Sequence, residues 1–110
     1  MAGKGVGLTM LEKEIEAHLR DSVRSLGGLC LKFVTPGFTG VPDRLVLLPG
    51  GNLCFVETKR SGQRERQRQS FVQRMLRKLG FTVFSSVDSW ARVDDVLAWC
   101  AGRVAEHGES

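Results

Sequence analysis

An aspartate, a glutamate and a lysine stand at a spacing that suits the hydrolysis of phosphate esters. Asp43 and Glu57 are separated by thirteen residues, and Thr58 and Lys59 follow directly. Side chains on a β-strand alternate between its faces, so Glu57 and Lys59 should project together and Thr58 the other way. Two carboxylates bind a hard divalent cation, and an ammonium adds positive charge beside a phosphate. We therefore predict that Asp43, Glu57 and the Thr58 backbone carbonyl bind Mg²⁺ or Mn²⁺, with Lys59 as a catalytic residue.

The two acids stand at the ends of a predicted β-hairpin. Residues 44–48 and 53–57 are largely apolar runs, and the Pro-Gly-Gly-Asn segment 49–52 between them has the composition of a turn. Asp43 precedes the first strand and Glu57 ends the second. The hairpin should therefore bring the two carboxylates to the same end of the sheet.

The pairing register of this hairpin has two possible values. If Leu48 pairs with Asn52, Asp43 lies opposite Glu57. If Pro49 pairs with Asn52 instead, the register moves by one residue. In both cases the acids lie within one strand spacing, roughly 5 Å.

A first helix offers a third acid. Its apolar residues recur at helical spacing, and Thr9 with Glu12 fits a capping box at its start. Glu12 is the acid closest to the centre of the apolar stripe, Glu16 is further round and Glu14 furthest. Glu12 either caps the helix or reaches the carboxylates.

The remaining patterns predict the other elements of an α/β domain. Strands are expected at 29–34 and 81–85, and helices from about 67 to 79, with Phe71 on the core-facing side, and from 89 to 103, capped by Asp88. The order αβββαβα is that of a mixed β-sheet flanked by helices. We expect a flexible arm over residues 1–8, one domain over 9–104 and a flexible tail over 105–110.

Composition restricts the class of protein. The chain has 110 residues, 42% of them hydrophobic, which suits a single globular domain. No apolar stretch reaches the roughly 18 residues that a membrane span needs. The three cysteines are isolated in sequence, so we expect core thiols and a reducing cytoplasm rather than disulfides or zinc.

Basic residues near the acids suggest an anionic partner. The formal charge is +4, and arginines are dense after Lys59. Arginines beside a metal site suit a phosphate backbone. The predicted DNA-binding residues are Arg44, Arg60, Arg64, Arg66 and Arg68.

Together these motifs resemble the virus-type replication-repair nuclease (VRR-NUC) family of the PD-(D/E)xK, or restriction-endonuclease-like, superfamily. The resemblance covers nearly the whole chain. The matching segments are Glu12-Lys13-Glu14-Ile15, Gly40-Val41-Pro42-Asp43, Phe55-Val56-Glu57-Thr58-Lys59 and a glutamine-bearing helix that ends at Leu79-Gly80.

The resemblance implies roles for single residues. Asp43 and Glu57 look like the family's metal ligands, Lys59 like its catalytic lysine and Glu12 like the acid of its first helix. Gln69 looks like the catalytic glutamine of the following helix. Arg66-Gln67 replaces the usual Ser/Thr-Pro before that glutamine, which leaves Gln67 as the alternative.

The resemblance also implies a reaction and partners. Short members of the family are similar to phage proteins that act as homodimers on branched DNA such as four-way junctions. The expected function is a Mg²⁺- or Mn²⁺-dependent DNA endonuclease, dimeric and located in the cytoplasm of a bacterial host if phage-encoded. The alternatives are a restriction-like or exonucleolytic enzyme and a DNA-binding module that has lost catalysis.

Overall fold

The computed structural model describes residues 12–59 and 64–109. The predicted arm over residues 1–8, the helix start at Thr9 and Arg60 lie outside these ranges. The described elements are α1 (Glu12–Ser25), β1 (Leu29–Lys32), β2 (Arg44–Leu47), a 3-10 turn (Pro49–Gly51), β3 (Leu53–Thr58), α2 (Gln67–Lys78), β4 (Thr82–Val87) and α3 (Trp90–Glu109). None of the helices in this part of the chain is both long and apolar enough to cross a membrane.

The described strands form one mixed sheet in the order β1-β2-β3-β4. The β1–β2 and β2–β3 pairs are antiparallel, whereas β3 and β4 are parallel and connected through α2. This is the predicted αβββαβα order, and the predicted α/β fold with a mixed sheet flanked by helices is confirmed.

One face of the sheet packs against α1 and α3. Ile15, Leu19 and Val23 follow one another at intervals of four, so they form a single stripe on α1, and each is fully buried. Burying a side chain of this size stabilises the fold by about 1.5–3 kcal/mol. The stripe meets the inward-facing residues of the sheet and of α3, which are Cys30, Val46, Cys54, Val56, Val87, Val93, Val96 and Cys100.

The opposite face of the sheet carries α2. Because side chains alternate along β3, Phe55 and Glu57 lie on the face away from Cys54 and Val56. Gln69 of α2 contacts Glu57, so α2 covers this second face. The three cysteines are buried as free thiols, as the sequence predicts.

Several predicted boundaries and contacts were wrong. β1 ends at Lys32, two residues before the predicted end, and β4 runs through Val87. α3 continues to Glu109 through most of the predicted tail, because Val104 still packs against the core. Ser89 rather than Asp88 provides the side-chain cap of α3, since its Oγ accepts the Arg92 N–H at 3.2 Å.

The orientation of α2 also differs from the expected one. Phe71, predicted to face the core, is 46% exposed, whereas Val72 and Gln73 are buried. Gln69, Val72 and Gln73 stand at i, i+3 and i+4, so they share one helix face. Binding of Gln69 at the strand ends turns this face inward and leaves Phe71 outside.

Candidate metal centre and active site

The hairpin has the first of its two possible registers. Arg44 pairs with Val56, and the Leu48 N–H donates to the Asn52 carbonyl at 2.8 Å. One step further along, the Asp43 backbone N–H donates to Glu57 Oε1 at 3.1 Å. Asp43 and Glu57 are therefore direct neighbours, as predicted.

A glycine allows the loop before Asp43 to pack closely on α2. Gly40 has a φ of +90°, and a Cβ at this position would lie 2.7 Å from Arg68 Cγ and 3.0 Å from the Arg68 carbonyl oxygen. A side chain here would meet both strain and a clash. Gly40 therefore lets the loop that leads to Asp43 lie against the helix that carries Gln69.

The end of β3 is distorted where the site lies. The β3–β4 register shifts between Val56 and Thr58, and Ser86 on β4 has a left-handed φ of 54°. Bulges of this kind occur next to active sites, where they redirect side chains. The pairing resumes with the Lys59 N–H donating to the Val87 carbonyl at 2.8 Å, so Thr58 and Lys59 remain anchored to the sheet.

Three carboxylates converge on Thr58 from the α1 side of the sheet. One oxygen each from Glu12, Glu16 and Asp43 lies within 4.8 Å of the others. Thr58 Oγ1 lies 2.5 Å from Asp43 Oδ2, 3.2 Å from Glu16 Oε2 and 3.4 Å from Glu12 Oε2. A hydroxyl has one proton to donate, so it can satisfy only one of these three oxygens.

This arrangement suits a divalent cation. Carboxylates this close repel one another unless a proton or a cation lies between them. Oxygen donors in this number are the ligands that Mg²⁺ and Mn²⁺ prefer. Glu12, Glu16 and Asp43 could therefore hold such an ion.

Glu57, Lys59 and Gln69 form a second cluster on the α2 side. Lys59 Nζ donates to Gln69 Oε1 at 2.8 Å and lies 3.3 Å from Glu57 Oε2. Gln69 Nε2 donates to the same Glu57 oxygen at 2.9 Å. Glu57 and Lys59 thus project together and Thr58 the other way, as predicted, and Asp43 connects the two clusters by bonding to Glu57 and Thr58.

Burial changes the ionisation of the two central acids. Burial raises the pKa of Glu57 to about 7, and the charge of Asp43 adds to this while Lys59 opposes it. The pKa of Asp43 is also raised, mainly by burial and then by the charges of Glu16 and Glu12, although hydrogen bonds from Thr58 act against it. Both acids therefore have an unfavourable charge that a cation would relieve.

Arg44 does not occupy the position that a DNA-binding residue requires. It is 7% exposed, and its Nη2 donates to Glu16 Oε1 at 2.8 Å. Burial would raise the pKa of Glu16, but the hydrogen bond and charge of Arg44 outweigh it and lower that pKa. Alternation along β2 turns the Arg44 side chain toward α1, where it pairs with Glu16 instead of facing solvent. A DNA contact by Arg44 stays a prediction, which this position disfavours.

The other predicted DNA-binding arginines differ in their surroundings. Arg64 and Arg66 are exposed just before α2. Arg68 is also exposed, but its Nε donates to the Thr39 carbonyl at 2.9 Å, and its guanidinium lies 4.8 Å from the centre of the Phe38 ring. Arg68 therefore attaches the loop before Asp43 to α2.

The structure decides between alternatives that the sequence left open. Gln69, not the exposed Gln67, contacts Lys59 and Glu57. On α1, Glu12 and Glu16 both reach the carboxylate cluster, whereas the Glu14 side chain is exposed. Sequence reasoning ranked Glu16 behind Glu12, although the i, i+4 spacing of the two acids was a signal that both could face one site.

Two predicted ligands are not part of the three-carboxylate group. The oxygens of Glu57 accept hydrogen bonds from the Asp43 N–H and from Gln69, and the Thr58 groups in the cluster are its hydroxyl and its N–H. Ligation by Glu57 and by the Thr58 carbonyl stays a prediction.

The fold and the position of the clustered acids are those of the restriction-endonuclease-like fold class, as predicted. A solved structure described as a VRR_NUC domain superposes with a TM-score of 0.73 at 32% identity, covering 79% of this chain and 94% of that one. The chain belongs to the VRR_NUC family. A comparison with family sequence models gave no match.

A phage protein provides a second comparison. "Putative nuclease p44" of Acyrthosiphon pisum secondary endosymbiont phage 1 is 55% identical over 53 residues, which are 48% of this chain. The matched region is 57% of that relative's length, so the chain spans little more than half of it.

Proposed function

We propose that this protein is a divalent-metal-dependent DNA endonuclease that hydrolyses phosphodiester bonds. The observation that carries the proposal is the convergence of Glu12, Glu16 and Asp43 beside the Glu57–Lys59 pair. Oxygen ligands next to a held ammonium suit metal-assisted hydrolysis of a phosphodiester. A similar solved VRR_NUC domain and a phage relative named as a nuclease support the same activity.

Each cluster has its own role in the proposed reaction. Glu12, Glu16 and Asp43 would hold Mg²⁺ or Mn²⁺, and Glu57 holds Asp43 by accepting its backbone N–H. A bound metal would supply polarisation of the scissile phosphate and a more acidic water molecule. Lys59 places its ammonium beside the phosphate and stabilises the negative charge that develops there.

The second cluster holds Lys59 in place. Gln69 accepts one of the three Lys59 donors while Glu57 pairs with the ammonium, so the side chain is held from two directions. A lysine otherwise has four flexible carbon–carbon bonds to order. This preorganisation lets Lys59 act without a further conformational change.

We further propose branched DNA as the substrate and a homodimer as the active form. The described domain is small. Arg66 donates its backbone N–H to Gln69 of the Lys59 cluster, and both Arg66 and Arg64 are exposed and can contact phosphates. Two copies related by a two-fold axis would present two active sites to a branch point. The buried free cysteines suit a reducing cytoplasm.

The test is cleavage of labelled linear duplex, flap and four-way-junction DNA of matched sequence, with Mg²⁺, Mn²⁺ or EDTA. We expect cleavage with either metal and none in EDTA, with a preference for branched DNA. Equal cutting of linear duplex would remove the proposed structure selectivity but keep the nuclease. Mononucleotide release from ends would instead identify an exonuclease.

A catalytically inactive DNA-binding module is the alternative from a different class. It would bind these substrates and cut none of them with either metal. Asp43, Glu57 and Lys59 are all present, and Lys59 is held by two partners, which favours the enzyme.

A further inference from the structure

Two acids of the three-carboxylate group have one oxygen already occupied by an internal donor. Glu16 Oε1 accepts the Arg44 Nη2 at 2.8 Å, and Asp43 Oδ1 accepts the Thr58 N–H at 2.8 Å. The other oxygens, Glu16 Oε2 and Asp43 Oδ2, face Thr58 Oγ1 in the cluster. Each of these acids therefore keeps one oxygen on its own donor, while its second oxygen shares only the single Thr58 hydroxyl proton and can turn to a cation.

We infer that Arg44 is a specificity-determining residue for the metal, because by occupying Glu16 Oε1 it makes Glu16 a one-oxygen ligand. This inference rests on the proposed metal centre. Ca²⁺ takes six to eight oxygens and often binds both oxygens of a carboxylate. Mg²⁺ requires six ligands in near-ideal octahedral geometry and usually retains several waters. One-oxygen ligation therefore favours Mg²⁺ and Mn²⁺ over Ca²⁺.

The Arg44–Glu16 pair is placed so that it persists when a cation binds. The side chains are 9% and 16% exposed, so water cannot easily replace either partner. Separating a buried ion pair leaves an uncompensated buried charge, which is strongly unfavourable. The donor to Asp43 is a backbone N–H, so Arg44 is the member of this arrangement that a substitution can remove.

Arg44 has a second effect, which the measurement must cancel. Its positive charge repels any divalent cation in the cluster, so its removal changes the affinity for every such ion through Coulomb's law. Mn²⁺ and Ca²⁺ have the same charge, so this effect is the same for both. The ratio of their dissociation constants then reports ligand geometry alone.

The experiment is competition between Mn²⁺ and Ca²⁺ for the full chain without DNA. Free Mn²⁺ is measured by electron paramagnetic resonance as Ca²⁺ is added. The variants are Arg44→Met, which preserves apolar bulk, and Arg44→Met combined with Glu16→Gln. Arg103→Met is the matched control, because it removes an equal charge from an exposed ion pair on α3.

We expect wild type and Arg103→Met to bind Mn²⁺ more tightly than Ca²⁺. Arg44→Met should shift the ratio toward Ca²⁺ by about tenfold, the low end of the effect of residues that hold metal ligands. The variant that combines Arg44→Met with Glu16→Gln should not show this shift toward Ca²⁺. An unchanged ratio in an Arg44→Met protein that still binds Mn²⁺ would overturn the inference, and so would a gain that persists without the Glu16 carboxylate.

A measurement on the wild type does not depend on whether the variants fold. X-ray absorption at the Mn²⁺ edge measures the distance from the metal to the carboxylate carbons. This distance is shorter when both oxygens of a carboxylate bind the metal than when one does. We expect one-oxygen ligation by the carboxylates, and two-oxygen ligation would contradict the role of Arg44. Failure of wild type to bind Mn²⁺ at all would instead remove the proposed metal centre itself.

Discussion

Lys59 Nζ and Gln69 Oε1 are joined by a 2.8 Å hydrogen bond that connects the end of β3 to the first turn of α2. The same Gln69 oxygen accepts the Arg66 backbone N–H at 3.0 Å, so the glutamine also closes the start of the helix. Its amide nitrogen donates to Glu57. One side chain thus orders the helix start and the proposed catalytic lysine together.

Gln69→Ala should lower kcat far more than it weakens DNA binding. Without Gln69, the Lys59 ammonium loses one of its two partners and keeps Glu57. A displacement of a catalytic group by about 1 Å can reduce the rate roughly 100-fold. Single-turnover cleavage and binding in EDTA separate the two effects. Gln67→Ala, two positions away and exposed, is the control and should cleave like wild type. Equal rates for the two variants would contradict the role of Gln69.

Glu12→Gln and Glu16→Gln should each weaken Mn²⁺ binding, by on the order of tenfold or more for loss of a charged ligand. Glu14→Gln removes the same charge from the same helix but outside the three-carboxylate group. It should bind Mn²⁺ within about twofold of wild type if the loss depends on ligation rather than on net charge. Calorimetric titration without DNA measures all three, and equal losses would show only a general charge effect.

We expect each of three single changes to abolish detectable cleavage: Asp43→Asn, Glu57→Ala and Lys59→Ala. A variant that combines two of them should lose no more of the cleavage rate than the more damaging single change. Residues that act as one unit give strongly non-additive losses. Asp43→Asn should also raise the melting temperature of the metal-free protein, because it removes the charge repulsion among the acids. Substantial cleavage by folded Lys59→Ala would rule out the assignment of the catalytic lysine.

The free energy of unfolding of the metal-free protein should fall as pH rises from about 4.5 to 7. Burial raises the pKa of Glu57 from its ordinary 4.5 to about 7, so in this range the folded state holds a proton that the unfolded state releases. By linkage, folding loses on the order of 3 kcal/mol across this window. Denaturant unfolding in EDTA should give a flatter pH dependence for Glu57→Gln. Glu106→Gln, an exposed change on α3, should retain the wild-type slope.

Arg66 and Arg68 should separate DNA binding from local stability. Arg66→Ala should reduce the slope of log affinity against log salt by about 0.9, the value for one lost phosphate contact on duplex DNA. Arg68→Ala should instead lower the free energy of unfolding by about 1 kcal/mol, through the lost bond to Thr39 and the ring contact with Phe38. Salt titrations of DNA binding in EDTA and chemical unfolding provide the two measurements. If Arg68→Ala also reduced the slope of log affinity against log salt by about 0.9, Arg68 would be a phosphate contact.

The order of elements and the central acids followed from the sequence itself, because they depend on short-range patterns. The four-residue spacing of Ile15, Leu19 and Val23 makes α1 amphipathic regardless of the element against which it packs. The glycine turn between β2 and β3 limited the hairpin to two registers, and both brought Asp43 near Glu57. Local geometry was therefore enough to predict the neighbouring acids.

Only the tertiary structure decided which further residues join them. The rotation of α1 and α2 about their axes against the sheet decides which side chains reach the site. It brings in both Glu12 and Glu16 from α1, and Gln69 rather than Gln67 from α2. That rotation is set by packing across the whole core, since one residue along a helix turns a side chain by about 100°. Arg44 is the clearest case: as a basic residue beside Asp43 it suggested a phosphate contact, but the packing of α1 on that face of the sheet places Glu16 beside its guanidinium.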